Sequence, residues 1–485
     1  MTAMDWIYNH IDSYWLYWGL VIAYSVTILS IIGVVISENR NPLKSLAWVT
    51  VLMLFPVGGI ILYIFFGRSI KNTRMISRRN RRRLLERSHE VGGGFRAQPR
   101  LSPEGRQSAI LGRSLVGANY YDGNVVDIFN NGPEKFEALL ADIAAARRYI
   151  HLQYYIINDD ATGRRLSDAL MAKAAQGVRV RVIYDDIGSI KISRRYVRTL
   201  RKAGVEIYPF FRVSFPPFGS RINWRNHRKV CVIDGEIGYI GGMNIADRYM
   251  DGGNFAKWRD CHLRVSGPAV AALQYSFAID WNFMGQPLIQ ETAGMNRPMP
   301  PGQGVGIQFV SSGPTSRWSN IAMMMHKAIG GARRRIYIQT PYFLPTESLL
   351  RALQVASLSH VDVRIMMPRH SDSSMLTSAS NSYIQECLRA GIKIYFYEGG
   401  MLHSKMMVVD DEFSSVGSTN FDFRSFEHNF EANFFIYSRD INRRLSEQFE
   451  ADMAESHRVK SSEWRHRPLL ARVKESILRL LSPIL

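Results

Sequence analysis

The pattern H-x-K-x-x-x-x-D occurs twice in this chain, as His227, Lys229 and Asp234 and again as His403, Lys405 and Asp410. The offset is 176 residues at both ends of the pattern (403 − 227 and 410 − 234). Each copy runs on, at the same distance, to a small-residue turn: Gly241, Gly242 and Asn244 in the first, Gly417, Ser418 and Asn420 in the second. A single His beside a Lys is usually an ordinary surface or core pair. Two copies in identical register mark a duplicated unit, and the fold must then be one that two similar halves can build.

The apolar runs 230–233 and 406–409 read as short buried strands. Residues two apart on a strand share a face, so each His lies beside its Lys. Asp234 and Gly235 signal a tight turn, with residues 236–240 returning as the next strand. An ammonium beside an imidazole suits an anionic ligand, because the Lys neutralises phosphate oxygens while the His attacks or protonates. The repeat predicts two His and two Lys converging on one phosphate.

Around the motifs the pattern is α/β. Helices are expected over 133–148, 164–176 and 193–203, and strands over 149–157, 178–184 and 205–210, which implies a largely parallel sheet flanked by helices. The second half repeats this order. Gln153 corresponds to Gln339 (offset 186) and Gly204 to Gly391 (offset 187), so the first copy has the longer loop ahead of its motif. That loop, residues 211–224, carries Pro216, Pro217, Phe218, Arg221 and Trp224. Lipid contact and simple loop packing are equally open for it.

The ends of the chain point to a membrane. Ser13–Ser37 holds no charged residue and is long enough for a transmembrane helix. Residues 45–66 form a second uncharged stretch, interrupted at Pro56, Gly58 and Gly59. A basic run follows: Arg68, Lys71, Arg74, Arg78, Arg79, Arg81, Arg82, Arg83 and Arg87, against one acid, Glu86. By the positive-inside rule this end is cytoplasmic. The net charge of +19 and pI near 9.9 fit nucleic acid or an anionic membrane surface; the place of the Arg run, beside a candidate span, favours lipid headgroups. Residues 91–105 read as a linker. Residues 469–481 place apolar positions on one helical face with Arg472, Lys474 and Arg479 opposite. A helix lying on a membrane and a helix packed on its own domain are both open. The cysteines Cys231, Cys261 and Cys387 show no metal-binding spacing and read as buried reduced thiols.

Four stretches narrow the family: Asn226 to Lys229; Trp258, Arg259 and Asp260; residues 338–343; and Arg424, Ser425 and Phe426. With the paired motifs they resemble bacterial cardiolipin synthases of the phospholipase D superfamily over nearly the whole chain. The resemblance implies an α/β fold of two duplicated phospholipase D-like α/β/α domains in a pseudo-twofold unit, preceded by an N-terminal two-helix transmembrane hairpin. The expected layout is a hairpin over 1–67, a basic juxtamembrane segment and linker over 68–107, domains over 108–290 and 307–460 joined by 291–306, and a C-terminal amphipathic helix over 461–485.

The implied reaction is phosphatidyl transfer between two phosphatidylglycerol molecules through a phosphohistidine. His227 is the expected nucleophile and His403 the acid and base, with the reverse assignment left open. Lys229 and Lys405 would stabilise phosphoryl charge. Asp260 and Glu431 lie 33 residues after His227 and 28 after His403, and are expected to orient the His of their own half. Asp234 and Asp410 belong to the catalytic motifs but read as ion-pair or turn residues. Asn244 and Asn420 are expected at the phosphate, with Asn429 in support. No metal or other cofactor is expected. Expected partners are anionic phospholipid (phosphatidylglycerol, cardiolipin) and the membrane, not nucleic acid; homo-oligomerisation is left open. The expected location is the inner (plasma) membrane, multi-pass, with the catalytic domains cytoplasmic. A phosphodiester hydrolase of the same fold and a non-enzymatic lipid-binding scaffold are the competing readings. Glu427 and His428 are more polar than the family pattern leads one to expect, which opens acceptor choice or a supporting role for His428.

Overall fold

The computed structural model describes residues 13–37, 42–63, 74–89, 101–212, 223–291, 304–480 and 482. They divide into two units, one within Met1–Ser69 and Phe215–Asn223 and the other within Ile70–Ser214 and Trp224–Leu485.

In the N-terminal unit Ser13–Ser37 is one continuous helix, as its uncharged sequence predicts. The second apolar stretch breaks where Pro56 removes a backbone donor, leaving Pro42–Leu54 and Pro56–Leu62. Ile28, Leu52 and Tyr63 form a small core with Trp48 and Ile60 packed on it. Many apolar side chains stay exposed, among them Tyr17, Ile22, Leu29, Leu46, Met53 and Phe55. Among the described residues, no helix is long and apolar enough to cross a membrane.

The second unit is built on a single sheet, and the sheet is the duplication made visible. From the middle outward the first half runs Tyr120–Asn131, Trp258–Ser266, Ile237–Gly241, Val230–Ile233, Tyr149–Tyr154, Arg179–Asp185 and Glu206–Phe210. The second half runs Val305–Ser312, Glu431–Tyr437, Phe413–Gly417, Met406–Val409, Arg335–Gln339, Asp362–Pro368 and Lys393–Tyr397 in the same order. Ser456–Arg458 adds an outer strand to the second half. The halves join edge to edge and antiparallel, with Tyr120 opposite Gln308 and Tyr121 opposite Ile307.

The largely parallel sheet expected from the α/β alternation is corrected to a mixed one. In each half three consecutive strands are parallel, Tyr149–Tyr154, Arg179–Asp185 and Glu206–Phe210 in the first and Arg335–Gln339, Asp362–Pro368 and Lys393–Tyr397 in the second. The inner strands are antiparallel, and in each half a tight hairpin links the motif strand to the next, Val230–Ile233 to Ile237–Gly241 and Met406–Val409 to Phe413–Gly417. At the hairpin tips Asp234 and Asp410 take the left-handed conformation, φ 54° and 49°, which Asp tolerates better than most residues.

The helices begin where cap residues dictate. Asn131, Asp160 and Ser193 accept from backbone N–H groups at the starts of Gly132–Ala145, Ala161–Ala175 and Arg194–Lys202. The Asp160 cap explains why the helix expected from 164 starts at Ala161. Their apolar faces cover one side of the first half-sheet, against Ile150, Leu152, Val180, Val182 and Ile207. A second core bridges both halves through Val126, Leu263, Ile307, Phe434 and Ile436. The three cysteines are free and buried.

Within the expected linker 68–107, Arg78–His89 is helical and the next helix begins at Pro103. Residues 90–100, most of the pre-motif loop (213–222) and most of the inter-domain linker (292–303) lie outside the described residues. The C-terminal helix, Leu469–Leu480, packs on Ser374–Arg389. Its Arg479 pairs with Glu386 at 2.9 Å and lies over the Tyr383 ring.

Candidate active site

Each motif His sits just ahead of a short buried strand, and the backbone before it is pinned to the opposite half. The His227 N–H donates to the Phe430 carbonyl at 2.9 Å, and the Phe430 N–H to the Arg225 carbonyl at 2.8 Å. On the other side the His403 N–H donates to the Arg259 carbonyl at 2.7 Å, where Met401–Leu402 pairs with Trp258 and Arg259.

These bonds decide which carboxylate meets which imidazole. Nδ1 of His227 is 2.9 Å from Glu431, and Nδ1 of His403 is 2.7 Å from Asp260. The same-half pairing expected from sequence distance is therefore corrected to a crossed one. With Nδ1–H donated to a carboxylate, Nε2 of each ring keeps its lone pair. All four groups are buried.

Further donors hold the carboxylates. Glu431 also accepts from the Ser418 hydroxyl and, at 3.3 Å, from Asn429 Nδ2. Asp260 accepts from the Cys261 N–H at 2.7 Å. The Gly242/Ser418 difference between the copies follows from this. A Cβ on Gly242 would lie 2.0 Å from Asp260 Oδ1, whereas Ser418 turns its hydroxyl onto Glu431.

The lysines complete the quartet. Lys229 Nζ donates to the His227 carbonyl at 2.6 Å. Lys405 Nζ donates to the His403 carbonyl and lies 3.2 Å from His403 Nε2. Burial lowers the Lys405 ammonium to about 8, against the pull of Asp260 and Glu431, and takes Lys229 well below the ordinary lysine range. Burial likewise lowers His227 and His403 to about 4, opposed by Glu431 and Asp260 respectively. For the carboxylates burial acts upward, but the neighbouring cations outweigh it and both are held low: His227 and Lys229 act on Glu431, Lys405 and His403 on Asp260. The resting site thus has two carboxylates facing two neutral imidazoles.

Aromatic rings wall the site. Tyr155 meets His227 edge-on at 4.8 Å, while Trp258 lies 5.2 Å and Tyr249 5.9 Å from His403. Asn244 accepts from the Ile156 N–H and donates to the Tyr249 hydroxyl, so it braces this wall. Asn420 is buried, and its Oδ1 has no hydrogen-bond partner among the described residues.

The motif aspartates lie elsewhere. Asp234 accepts from the N–H groups of Arg147, Arg148 and Tyr149, at 2.7–2.9 Å. Asp410 does the same for Arg333, Arg334 and Arg335. They tie each hairpin turn to the start of the neighbouring strand. Their catalytic grouping is corrected on this geometry, and the turn role is the one their hydrogen bonds fit. Glu427 accepts from the Ser319 hydroxyl, and the His428 ring lies 5.7 Å from Phe423.

A buried network beneath the quartet was not foreseen. Asp280 accepts from Arg228 at 2.6 Å, Gln153 at 2.6 Å and Asn226 at 3.1 Å. Asp452 is its counterpart, accepting from Arg259 at 3.1 Å and Gln339 at 2.7 Å. The matched glutamines were visible as repeat positions; the aspartates, on helices far along the chain, carried no signal of spacing.

A duplicated mixed sheet with two His–Lys pairs meeting at its seam defines a phospholipase D-like protein. The family described as "Cardiolipin synthase, PLD-like domain" matches residues 139–281 and 325–453, and that described as "Phospholipase_D-nuclease N-terminal" matches residues 22–68. The chain is 40% identical over 475 residues to the major cardiolipin synthase of Bacillus subtilis (strain 168), covering 96% of this chain and 98% of that one. It is 39% identical over 471 residues to the cardiolipin synthase of Geobacillus kaustophilus (strain HTA426), covering 95% and 93%. The fold is shared with the crystal structure of phosphatidylserine synthase from Haemophilus influenzae Rd KW20, with TM-score 0.60, 11% identity, and coverage of 78% of this chain and 100% of that one. The chain belongs to the cardiolipin synthase family of phospholipase D-like proteins.

Proposed function

We propose that the protein transfers a phosphatidyl group from one phosphatidylglycerol to the headgroup hydroxyl of a second, forming cardiolipin and releasing glycerol. The observation that carries this is the crossed quartet: two imidazoles, each held by a carboxylate of the other half, flanked by two buried lysines.

The reaction runs as a double displacement. Nε2 of His227 attacks phosphorus, the P–N bond forms, and the P–O bond to the leaving glycerol breaks. His403, protonated under the influence of the bound phosphodiester anion, gives its Nε2 proton to the leaving oxygen. Neutral His403 then takes the proton of the incoming hydroxyl, whose oxygen attacks phosphorus and releases His227. Glu431 steadies the charge that His227 acquires, and Asp260 does so for His403. Lys229 and Lys405 bind the phosphoryl oxygens in both steps.

Lipid access is assigned to three surfaces. The N-terminal helices form the two-helix membrane hairpin of a multi-pass protein; the uncharged stretches 13–37 and 45–66 and the exposed apolar side chains support it. The helix Arg78–His89 is anchored by Leu84 in the core beside Phe277 and Trp281 and turns Arg78, Arg79, Arg81, Arg82 and Arg83 to solvent, where they meet anionic headgroups on the cytoplasmic side. The C-terminal helix packs on its domain through one side and lays Leu469, Leu470, Val473, Ile477 and Leu480, all exposed, on the membrane surface.

The test uses purified protein in detergent–phosphatidylglycerol micelles with a chelator present. Cardiolipin and glycerol are expected to rise together, and His403→Ala to abolish both. Phosphatidic acid as the main product would replace this reading with hydrolysis. Lipid binding without turnover would leave only a scaffold.

A further inference from the structure

The repeat extends past the motif asparagines to a pair of arginines. Asn244 is followed four residues later by Arg248, and Asn420 four residues later by Arg424 (offset 424 − 248 = 176). The two flank the quartet on opposite sides. The Arg248 guanidinium lies 5.5 Å from the centre of the Trp258 ring and 5.4 Å from that of Tyr249. Those two rings stand against His403. Arg424 lies on the other side, in the field of Tyr155, Asp422, Arg225 and Asp185. Burial raises the Tyr155 hydroxyl, and Arg424, Arg225 and Arg248 each act against that rise.

The two flanks are not equivalent. At the position of Trp258 the second half has Asn429. Around Arg424, Asp185 and Asp422 supply negative charge from within the protein, and Asp185 already pairs with Arg225 at 3.3 Å. The acid facing Arg248 is Asp372, which is exposed and accepts from the Tyr342 hydroxyl. The Arg248 guanidinium hydrogen-bonds the Tyr249 side chain, while its Nε is buried with no hydrogen-bond partner among the described residues. A cation with an unused donor, roofed by rings, awaits an anion.

The chemistry of the acceptor says which anion. If a lipid supplies the hydroxyl that His403 deprotonates, that lipid carries its own phosphodiester a three-carbon bridge behind the reacting oxygen. Water and neutral alcohols carry no such charge. The acceptor phosphate therefore lies on the His403 side, one aromatic ring away from the imidazole, which is where Arg248 stands. We infer that Arg248, over Trp258 and Tyr249, forms a second anion subsite that binds the phosphodiester of the lipid acceptor and so favours lipid over water or simple alcohols. The inference rests on the transfer reading above and deepens it.

The experiment gives the full-length enzyme a choice. Detergent micelles of phosphatidylglycerol are supplemented with a neutral short-chain alcohol, and the ratio of cardiolipin to phosphatidyl-alcohol is measured. In Arg248→Gln the ratio should fall about tenfold or more, the size expected for a lost hydrogen bond to a charged group, with a raised KM for the lipid acceptor. Arg248→Lys, which restores the charge, should recover part of it. Phosphatidyl-alcohol still formed by the variant shows that it is folded. An unchanged ratio with a lower total rate would overturn the proposal, because Arg248 would then serve a step common to all acceptors. A fall in Arg424→Gln and not in Arg248→Gln would overturn it too. A wild-type enzyme that makes only phosphatidic acid would sink the transfer reading itself, an outcome separate from both.

Discussion

Asp260→Asn is the substitution that separates the crossed site from a same-half one. The amide keeps the shape of the carboxylate but not its charge. In the folded enzyme Asp260 lies 2.7 Å from His403 Nδ1, with both groups buried. When His403 takes a proton, the imidazolium loses its ionic partner. A hydrogen bond to a charged group contributes about 1.5–3 kcal/mol, so kcat should fall roughly 10- to 150-fold. Glu431→Gln should cost as much through His227, and the two can be told apart by leaving group. With a phosphatidyl ester of p-nitrophenol, whose leaving oxygen needs no proton, the first step depends on the nucleophile alone. The burst of p-nitrophenolate should survive loss of the acid's carboxylate and shrink on loss of the nucleophile's. Peptide mapping of the trapped phosphohistidine then identifies the nucleophile. If His227 is modified, Glu431→Gln should lose the burst and Asp260→Asn keep it. If His403 is modified, the two should exchange behaviour. A modified His227 with the burst lost in Asp260→Asn, or a modified His403 with the burst lost in Glu431→Gln, would refute the crossed pairing.

Three other outcomes follow from the same geometry. Asp234→Asn and Asp410→Asn each weaken three backbone hydrogen bonds at a strand start, so each should lower the thermal midpoint by a few degrees, about 1–3 kcal/mol, with KM unchanged; a change in KM would place them at the substrate instead. Because His227 and His403 are lowered to about 4 in the folded chain from an ordinary 6.5, the unfolded chain binds more protons between those values. Stability should be full above pH 6.5 and decline as pH falls toward 4, and the double variant His227→Gln/His403→Gln should show a shallower decline by thermal unfolding in detergent. Leu470→Glu with Ile477→Glu changes two exposed side chains of the C-terminal helix; binding to vesicles containing phosphatidylglycerol should weaken with no loss of folding, and unchanged binding would assign that face to another partner.

The duplication and its two His–Lys pairs were legible because they are local. His and Lys two apart on a strand, and an Asp that accepts a hairpin turn, are consequences of short-range geometry. The partners of the histidines were not legible, because no local rule links His227 to Glu431 across 204 residues. That link is made by backbone bonds between Phe430 and the segment Arg225–His227, which sequence distance cannot report. The mixed sheet departs from the expected one for a related reason: alternating helices and strands describe the three mutually parallel strands of each half, while the antiparallel middle is set by pairings between segments far apart in the chain. At the C-terminal helix the two open readings turned out not to exclude each other. One side carries Glu475 and Arg479 toward its own domain, and the other exposes five apolar side chains.

The exchange of carboxylates across the seam also constrains how such a gene can change. Deleting either repeat removes one histidine outright and leaves the other with its lysine but without its acid. Neither repeat is a spare copy free to accumulate substitutions, since each holds half of the other's chemistry. Divergence is then confined to what surrounds the quartet, and there it has occurred: tryptophan over one histidine, asparagine by the other, glycine behind one acid, serine behind its twin.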